Sequence, residues 1–421
     1  MENHDIEPRK EYALVIFKIA WRNIWRSKVR SLVVLTSIAL GIWAGLLIIG
    51  FSFGMNNERT AAAIGSTLGH SQVHSSSFLE EPTSAAVLGS AAEVLAIEEL
   101  LQKAVFVKGV STRAIMMGMV SAPKSARGVR MIAVDPDSER ANSTLPETIV
   151  EGDFFESKTR NSVIIGQKLA DKLGLGLRKK VVLTFQDAEG NISRASFRIT
   201  GIYKTLNATW DELNLYIKRS DLNNIIGQDL VHEIMVRYDE TEGTEEKTAE
   251  LSAAMPEGAT ILSWKRNSPE LGYADDMMGI MLVLVLGIIM MALLFGIINN
   301  MLMAILERRR ELGMLMAVGM NKRKLFIMIL VETLMLGFVA GPVGILLGDL
   351  STRVMMGIGI DLTSKKEGLA NMGVQSIIYP EIVPEYYLIV AVMVIMTALL
   401  AALYPAYKAL KLNPVQAIRG E

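Results

Sequence analysis

Few residues in this sequence have the types and spacing that catalysis requires. Ser121 and Lys124 have the S-x-x-K spacing of a lysine-activated serine nucleophile, but the K-T-G motif that completes such a site is missing. His70 and His74 are four residues apart, yet the serines and glycines around them predict a solvated loop rather than a helix that turns both toward one metal ion. The 421-residue chain has no cysteine, which excludes disulfides and cysteine-bound metals.

Nucleotide chemistry is also missing from the sequence. No G-x-x-x-x-G-K-S/T phosphate loop occurs, and GLGLRK at residues 174–179 lacks the spacing of either glycine-rich nucleotide fingerprint. If ATP drives this protein, another chain binds it. We therefore expect no catalytic residue, no metal and no cofactor in this chain.

Glu332 is the one acidic residue inside a long apolar run. Moving an acidic side chain from water into a membrane is energetically costly, so an acid in a membrane helix suggests a functional role. Glu332 follows Lys324 by eight residues, about 12 Å of helix, and can reach the membrane surface or pair with basic residues there. A structural or partner-coupling role is favoured over transfer of protons or substrate.

The segment ERRRELGMLMAVGMNKRK, residues 307–324, lies between two apolar runs and is too short for a domain. It contains an apolar stripe at helical spacing, formed by Leu312, Leu315, Met316 and Gly319. Glu311 adds an acid within a basic rim. A merely solvated loop would not need such a stripe, so we predict a helix that docks on a partner protein.

The elements that position these residues follow from hydropathy. The chain is 51% hydrophobic and 21% charged, with a mean hydropathy of +0.33, and is too apolar for an ordinary soluble protein. A helix needs about 20 apolar residues to cross a bilayer. Four runs predict transmembrane helices, at residues 31–57, 277–306, 325–348 and 386–407. The first two are long enough to project beyond the bilayer.

Lysine and arginine cluster in residues 1–30, 307–324 and 408–421, whereas residues 349–385 hold only three. Because basic residues favour the cytoplasmic side, we predict that both termini are cytoplasmic. Residues 58–276 and the loop at 349–385 then lie outside the cytoplasm. This consistent bias disfavours buried helices of a large soluble protein, and the net charge of −1 gives no general attraction to nucleic acid.

Residues 58–276 predict an α+β domain. Amphipathic patterns indicate helices at residues 91–106, 166–173 and 244–254. Alternating or β-branched runs indicate strands at residues 129–134, 162–165, 181–185, 195–202, 213–217 and 233–237. QDAEGNIS at 186–193 predicts a hairpin turn, and the serine-rich stretch at 66–77 predicts a loop.

Glycines line up in two of the apolar runs. Gly41 and Gly45 are four residues apart in the first run. Spacings of four, three and four recur in the third run, at Gly337, Gly341, Gly344 and Gly348. Small residues on one helical face permit close backbone approach, so we predict tight helix packing within the chain or across a dimer. Pro342 is expected to interrupt and kink the third helix.

Taken in order, these segments resemble the MacB/FtsX-type permease family of ABC transporters, most of all its lipoprotein-releasing (Lol-type) branch. The resemblance spans essentially the whole chain. AWRNIWRSKVRS at 20–31 resembles the amphipathic helix that leads into the first membrane helix, and IVEGDFF at 149–155 resembles a recurring phrase of the outer domain. The closing motif P-A-x-x-A…P-x-x-A-L-R is matched by Pro405, Ala406, Ala409, Pro414, Ala417 and Arg419.

The segment at 307–319 resembles the family motif E-R-x-x-E-I-G-x-x-x-A-x-G. The resemblance implies that this segment couples the permease to its ATPase. The implied coupling residues are Glu307, Arg308, Arg309, Arg310, Glu311, Leu312, Gly313, Leu315, Met316, Ala317 and Gly319.

The resemblance also implies a Porter and Sabre pair of outer subdomains in a multi-pass protein of the bacterial inner membrane. The implied partners are a second permease, in a homodimer or heterodimer, and two ATPase subunits that bind ATP and Mg. Their closure would be transmitted mechanically to the outer domain. A periplasmic chaperone, a fusion protein or lipoprotein cargo are further partners it allows. The turn at 186–193 is shorter than the Pro-containing hook of chaperone-recruiting permeases, and only 30 residues precede the first run, where MacB proteins carry a fused ATPase.

Three functions follow from this resemblance. The favoured one is extraction of lipoproteins or other lipid-anchored cargo from the outer leaflet. The others are a tripartite efflux permease and a transmembrane scaffold that regulates cell-wall hydrolases, which typically has a smaller outer domain.

Overall fold

The computed structural model describes residues 18–22, 24–26, 28–123, 125–155, 159–365, 368–369 and 376–411. Within them the chain forms two compact units. A helical unit comprises the chain up to Gly54, Met277–Ile360 and the chain from Ile378 onward. An α/β unit comprises Met55–Asp276 and Asp361–Ile377.

Four long apolar helices are present in the described chain, as predicted. They span Lys28–Ala63, Pro269–Glu307, Lys322–Ile358 and Glu385–Leu410. Each contains a stretch long and apolar enough to cross a membrane. Each also extends beyond its predicted apolar run, because helical hydrogen bonding continues into polar flanks that hydropathy does not register.

Pro342 lies inside the third membrane helix, which continues on both sides of it. The predicted interruption at this residue is therefore wrong. A proline removes one backbone hydrogen bond, and membrane helices tolerate it because local adjustments and neighbouring helices satisfy the freed carbonyl. The helix runs on to Ile358, and a two-strand ladder of Ile360–Asp361 and Ile377–Ile378 follows it.

All four helices contribute to the core of the helical unit. Ile42, Leu286, Leu336 and Val390 come from the first to the fourth helix in turn, and each is at most 4% exposed. The first two helices have low amphipathic contrast in their sequences because lipid as well as protein surrounds them.

The α/β unit is built on one sheet of ten strands. The strands are β1 Ser71–Ser75, β2 Val107–Ser121, β3 Ala126–Val134, β4 Ile149–Gly152, β5 Ser162–Gly166, β6 Lys180–Gln186, β7 Ile192–Tyr203, β8 Asn214–Lys218, β9 Glu233–Tyr238 and β10 Ala259–Ser263. Their order is β10-β1-β9-β2-β3-β8-β5-β7-β4, and β6 pairs with both β2 and β7. Most pairs are antiparallel, with β3–β8 and β5–β7 parallel.

The helices of this unit cover the sheet. They are Ser76–Glu80, Ala91–Lys103, Pro136–Asn142, Gln167–Leu173, Ala208–Leu213, Arg219–Ile226, Thr244–Ala254 and Trp264–Asn267, with a π-helix at Ile64–Leu68 and 3-10 turns at Leu145–Thr148 and Thr363–Lys365. Two main apolar clusters form beneath them, one on β1, β9 and β10 and the other on β3 and β5 to β8. The 15-residue strand β2 contributes to both, so it joins the two halves of the mixed α/β domain.

The six strands and three helices predicted for this domain are present, with shifted ends. The turn at 186–193 forms a hairpin between β6 and β7, in which Asp187 N–H donates to the Asn191 carbonyl at 3.0 Å. The loop predicted at 66–77 is wrong: only Gly69 and His70 separate the π-helix from β1, and Ser71–Ser75 is buried throughout.

Candidate docking segment and membrane groove

The docking segment, our name for residues 307–324, contains a short helix at Arg309–Ala317. Gly319 ends this helix with φ at +101°, a conformation that side chains disfavour. The Met320 N–H then donates to the Leu315 carbonyl at 2.9 Å, as in a Schellman cap. Gly319 is therefore a capping residue rather than part of the predicted apolar stripe.

Asn321 begins the third membrane helix. Its side chain accepts a hydrogen bond from the Arg323 N–H at 3.1 Å and so caps the helix. Because one cap follows the other within two residues, the sequence itself fixes where the short helix stops and the membrane helix starts.

One face of the short helix packs inward. Leu312 is 4% exposed and belongs to the core of the helical unit, and Gly313 is buried beside it. Met316 is partly buried against the same core. Leu312 and Met316 therefore anchor the segment, and the prediction that they form a docking stripe with Leu315 is wrong for these two residues.

The opposite face is apolar and exposed. Met314, Leu315 and Val318 are exposed by 53%, 37% and 89%. This outward face, as we call these three residues, adjoins basic residues at both ends of the segment. Met314 and Val318 lie outside the single stripe predicted from the sequence, because they are about 200–240° around the helix from Leu312.

The remaining predicted coupling residues lie at the rim of the segment. Glu307, Arg310, Ala317 and Gly319 are exposed, whereas Arg308, Arg309 and Glu311 are half-buried.

A chain of ion pairs connects the docking segment to two other helical stretches. Arg26, in the helical stretch before the first membrane helix, pairs with Glu311. The other carboxylate oxygen of Glu311 lies 3.6 Å from Arg308 Nε, and Arg308 Nη1 lies 3.1 Å from Glu332 Oε1. The hydrogen bond from Arg26 holds the pKa of Glu311 below its ordinary value. The Glu311 carboxylate is therefore ionised near neutral pH.

Glu332 lies in the third membrane helix with 8% of its side chain exposed. The Arg308 guanidinium donates to both of its carboxylate oxygens, at 3.1 and 3.4 Å. A buried carboxylate is stable only with such a partner. This geometry fits the structural role predicted for Glu332, which stays a prediction.

The predicted packing glycines all face other helices of the same chain. A Cβ on Gly41 or Gly45 would meet Leu293 or Leu286 of the second helix at 2.7 and 3.0 Å. A Cβ on Gly337 or Gly341 would meet Ala398 or Val394 of the fourth helix at 3.2 and 3.9 Å, and one on Gly344 or Gly348 would meet Ile42 or Leu46 of the first helix at 2.8 and 2.6 Å. Of the two alternatives left open by the sequence, close packing within the chain fits these glycines except Gly341, where a Cβ would make only an ordinary contact.

A groove of about 420 Å³ opens between the first and second membrane helices. Its walls are mostly small or apolar residues, namely Val34, Ser37, Gly41, Ile289, Ala292, Leu293, Gly296, Ile297 and Asn300. A Cβ on Gly296 would meet no atom within 4 Å, so this glycine leaves space rather than making a close contact. The groove is therefore an apolar slot that hydropathy alone could not reveal.

The predicted closing motif is only partly described. Pro405 lies inside the fourth helix, and Pro405, Ala406 and Ala409 are buried in the helical core. Pro414, Ala417 and Arg419 lie outside the described residues.

His70 and His74 are packed within the α/β unit. His70 is 5% exposed, stacks on Tyr238 and accepts the Tyr238 backbone N–H at Nδ1, 3.1 Å away. His74 is buried within β1, so the predicted solvated loop is wrong. Ser121 ends β2, and Lys124 lies outside the described residues. In the part of the chain that the structure describes, no group of three or more potential ligands could hold a metal ion.

A buried arginine in the centre of the sheet was also missed. Arg113 of β2 donates to Glu139 at 2.6 Å and to Glu233 at 2.9 Å, and all three side chains are almost fully buried. Burial alone would raise the pKa of Glu233, but Arg113 lowers it and keeps the carboxylate charged. Sequence patterns gave no signal because β2 is buried on both faces and lacks alternation.

Comparison with known proteins gives two family matches. A model described as MacB-like periplasmic core domain matches residues 31–254, just over half of the chain. A model described as FtsX-like permease C-terminal matches residues 283–414.

Individual relatives cover most of the chain. An uncharacterized ABC transporter permease of Methanocaldococcus jannaschii is 23% identical over 96% of this chain and 98% of that protein. The lipoprotein-releasing system transmembrane protein LolC of Xylella fastidiosa is 19% identical over 74% of this chain and 76% of that protein. The pyoverdine export ATP-binding/permease protein PvdT of Pseudomonas savastanoi is 23% identical over 96% of this chain and 59% of that protein.

Proposed function

Because this chain belongs to the MacB/FtsX-type family of ABC transporter permeases, we propose that it is the driven half of a mechanical transporter that extracts lipoproteins or other lipid-anchored cargo from the outer leaflet of a bacterial inner membrane. Members of this family work with ATPase subunits. In this proposal two such subunits, and a second permease, complete the machine.

The observation that carries the proposal is the groove between the first and second membrane helices. It is open to the side, apolar and about 420 Å³ in volume, which suits part of an acyl chain entering from the bilayer. The polar side chains buried in the described helical unit are few and scattered, namely Ser31, Glu332, Thr333, Thr352 and Thr397. They offer no continuous polar lining for a soluble substrate within this chain.

Force would enter at the docking segment. The outward face of Met314, Leu315 and Val318 is an apolar patch on a fixed helix, which suits insertion into a groove on the ATPase. The ion pairs from Arg26 through Glu311 and Arg308 to Glu332 would pass a displacement of this helix to the membrane helices. The first and second membrane helices, at 36 and 39 residues, are long enough to carry it beyond the bilayer.

The test fills the groove. A Gly296→Leu side chain has free space at its Cβ and would occupy the slot, while Gly287→Leu adds the same side chain to the same helix outside the groove, again with no atom near its Cβ. In proteoliposomes with the cognate ATPase, we expect Gly296→Leu to reduce ATP-dependent release of a triacylated lipoprotein at least tenfold, and Gly287→Leu to leave it unchanged. Normal release by Gly296→Leu would refute the groove as the cargo site.

Export of a soluble compound is the second candidate, because the MacB-like periplasmic core model matches over half of the chain and one relative is named as an export protein. An efflux permease would act on substrate outside the membrane. In that case Gly296→Leu would leave cellular resistance to the exported compound intact.

A further inference from the structure

The α/β unit contains a cavity of about 310 Å³. It lies among the end of the first long helix with its π-helix, the segment at 205–210 and the start of the second long helix. The lining residues are Arg59, Ala62, Ala63, Ser66, Thr67, Leu68, Thr205, Leu206, Asn207, Thr209, Trp210, Ser268, Glu270 and Leu271. The proposed function uses none of them.

Two opposite charges in this cavity are available to a ligand. Arg59 is half-buried, and among the described residues it forms no ion pair or hydrogen bond. Glu270 is exposed at the cavity and is likewise without a partner in the described chain. Both side chains line the same cavity without pairing with each other, so a zwitterionic group bound there could meet a cation and an anion.

The rest of the cavity wall is fixed and mixed in polarity. Ser66 and Thr67 lie on the π-helix, a rare wide turn that often occurs at functional sites, and their hydroxyls donate to the backbone carbonyls of Ala62 and Ala63. Their oxygens therefore remain available as acceptors. The Trp210 indole is held by a 3.2 Å hydrogen bond to the Tyr216 hydroxyl and offers a rigid apolar surface with Leu68.

The π-helix is itself anchored in the buried charge cluster. Arg113 Nη1 donates to the Thr67 carbonyl at 2.6 Å while it pairs with Glu139 and Glu233. A buried and fully paired arginine thus holds an irregular turn in place, which gives the cavity a preformed wall.

We propose that this cavity binds the headgroup of an aminophospholipid. Arg59 would bind the phosphate. Glu270 and the hydroxyl oxygens of Ser66 and Thr67 would accept hydrogen bonds from the primary amine. Leu68 and Trp210 would contact the glycerol region. The volume is at the lower end for ligand pockets, which suits a headgroup rather than a whole lipid. Arg59 follows the first apolar run by two residues, and Glu270 precedes the second by seven. Both residues are therefore expected near the membrane surface, where lipid headgroups are abundant. This inference does not depend on the cargo.

The experiment uses the full chain in nanodiscs that contain equal amounts of phosphatidylethanolamine, phosphatidylcholine and phosphatidylglycerol. After transfer to detergent, native mass spectrometry counts the lipids that each chain retains. We expect one phosphatidylethanolamine per chain, retained at least tenfold over the other two lipids. Arg59→Gln and Glu270→Gln should each reduce this retention about tenfold, and Arg59→Lys should restore part of it. Arg127→Gln and Glu257→Gln, at exposed positions of the same unit, are the matched controls.

Each other outcome overturns the proposal. Equal retention of the three lipids, or unchanged retention in Arg59→Gln, would exclude a specific site. Retention of phosphatidylglycerol equal to that of phosphatidylethanolamine would exclude recognition of the amine. Binding of soluble phosphoethanolamine without retention of any lipid would assign the cavity to a soluble phosphate ester instead of a membrane lipid.

Discussion

Arg308, at the end of the second membrane helix, donates from Nη1 to Glu332 Oε1 across 3.1 Å and so neutralises a carboxylate that the third helix buries. Replacing Arg308 with Met removes this cation and its two hydrogen bonds from the buried carboxylate of Glu332. We expect a loss of about 3–5 kcal/mol in stability, seen as a lower temperature of aggregation in detergent. The double variant Arg308→Met/Glu332→Gln buries no charge and should recover most of the loss. If the double variant is as unstable as Arg308→Met, loss of the ion pair with Glu332 does not explain the instability.

The outward face of the docking segment should bind the ATPase without supporting the fold. Val318→Glu adds a charge at a residue that is 89% exposed, so we expect loss of ATPase co-purification with unchanged thermal stability. Val105→Glu, at a fully exposed valine of the α/β unit, is the control and should bind normally. Leu312→Ala should instead lower stability by about 2–5 kcal/mol, because Leu312 is in the core. Normal ATPase binding by Val318→Glu would disprove the docking face.

Two neighbouring glycines of the third helix should respond differently to one methyl group. A Cβ on Gly344 would lie 2.8 Å from Ile42 Cβ and 2.9 Å from the Ala39 carbonyl oxygen, whereas one on Gly341 would meet its nearest atom at 3.9 Å. We expect Gly344→Ala to cost about 1–3 kcal/mol of stability and Gly341→Ala to be neutral or slightly stabilising. Thermal unfolding of the two variants in the same detergent measures the difference. Equal melting temperatures would show that the helices can separate at no cost.

Acid should destabilise the α/β unit through His70. Burial, with Arg237 and Lys247 nearby, lowers the pKa of His70 to about 4, below its ordinary value of 6.5. Between pH 4 and 6.5 the unfolded chain therefore binds more protons at His70 than the folded chain does. The contribution of neutral His70 to folding stability is complete above pH 6.5 and is lost as the pH falls toward 4.

The measurement is the melting temperature of the full chain from pH 7 to 4. His70→Asn keeps an acceptor for the Tyr238 N–H without a titrating ring and should show a shallower decline than the native chain. Burial raises the pKa of Asp211 to about 6, so its protonation favours the folded state as the pH falls. This effect is the same in the native chain and in His70→Asn. Parallel curves for the two chains would contradict the role of His70.

The orientation in the membrane can be tested by labelling, since the chain has no cysteine of its own. Asn191→Cys lies in the exposed hairpin turn and Val318→Cys in the docking segment. With a membrane-impermeant maleimide, we expect Asn191→Cys to react on cells whose outer membrane alone is permeable, and Val318→Cys only after lysis. Ser75 would be a poor reporter because it is buried. The reverse labelling pattern would invert the predicted topology.

The helices and most strands could be predicted because their signals are local. Apolar runs of the required length mark the four membrane helices, and Asp187 with Gly190 marks the hairpin. Strand β2 escaped notice because Gly109 and Arg113 interrupt it and its middle is buried on both faces. Its pairing with β3, β6 and β9, rather than its own composition, makes it a strand.

The candidate sites show the same division. The position of the docking segment follows from sequence, but the inward and outward faces of its helix do not, because both carry apolar residues and only packing separates Leu312 from Val318. For Glu332 the sequence predicts a basic partner near the membrane surface but does not distinguish Arg308 from the other basic residues there. The structure shows that Arg308 forms this ion pair. The membrane groove needs two helices at a defined distance, which no single segment encodes.

The pairing of the sheet has a consequence for synthesis of the protein. Among the described strands, β1 hydrogen-bonds to β9 and β10 alone, although about 160 residues separate it from the nearer of the two along the chain. If the domain is exported as predicted, β1 keeps unsatisfied backbone groups until nearly the whole domain has left the ribosome and crossed the membrane. In that case, because β10 ends at Ser263 and the next membrane helix begins at Pro269, the sheet would be completed just as that helix reaches the translocon. A slowed insertion step would therefore leave β1 as an open edge exposed to aggregation and proteolysis.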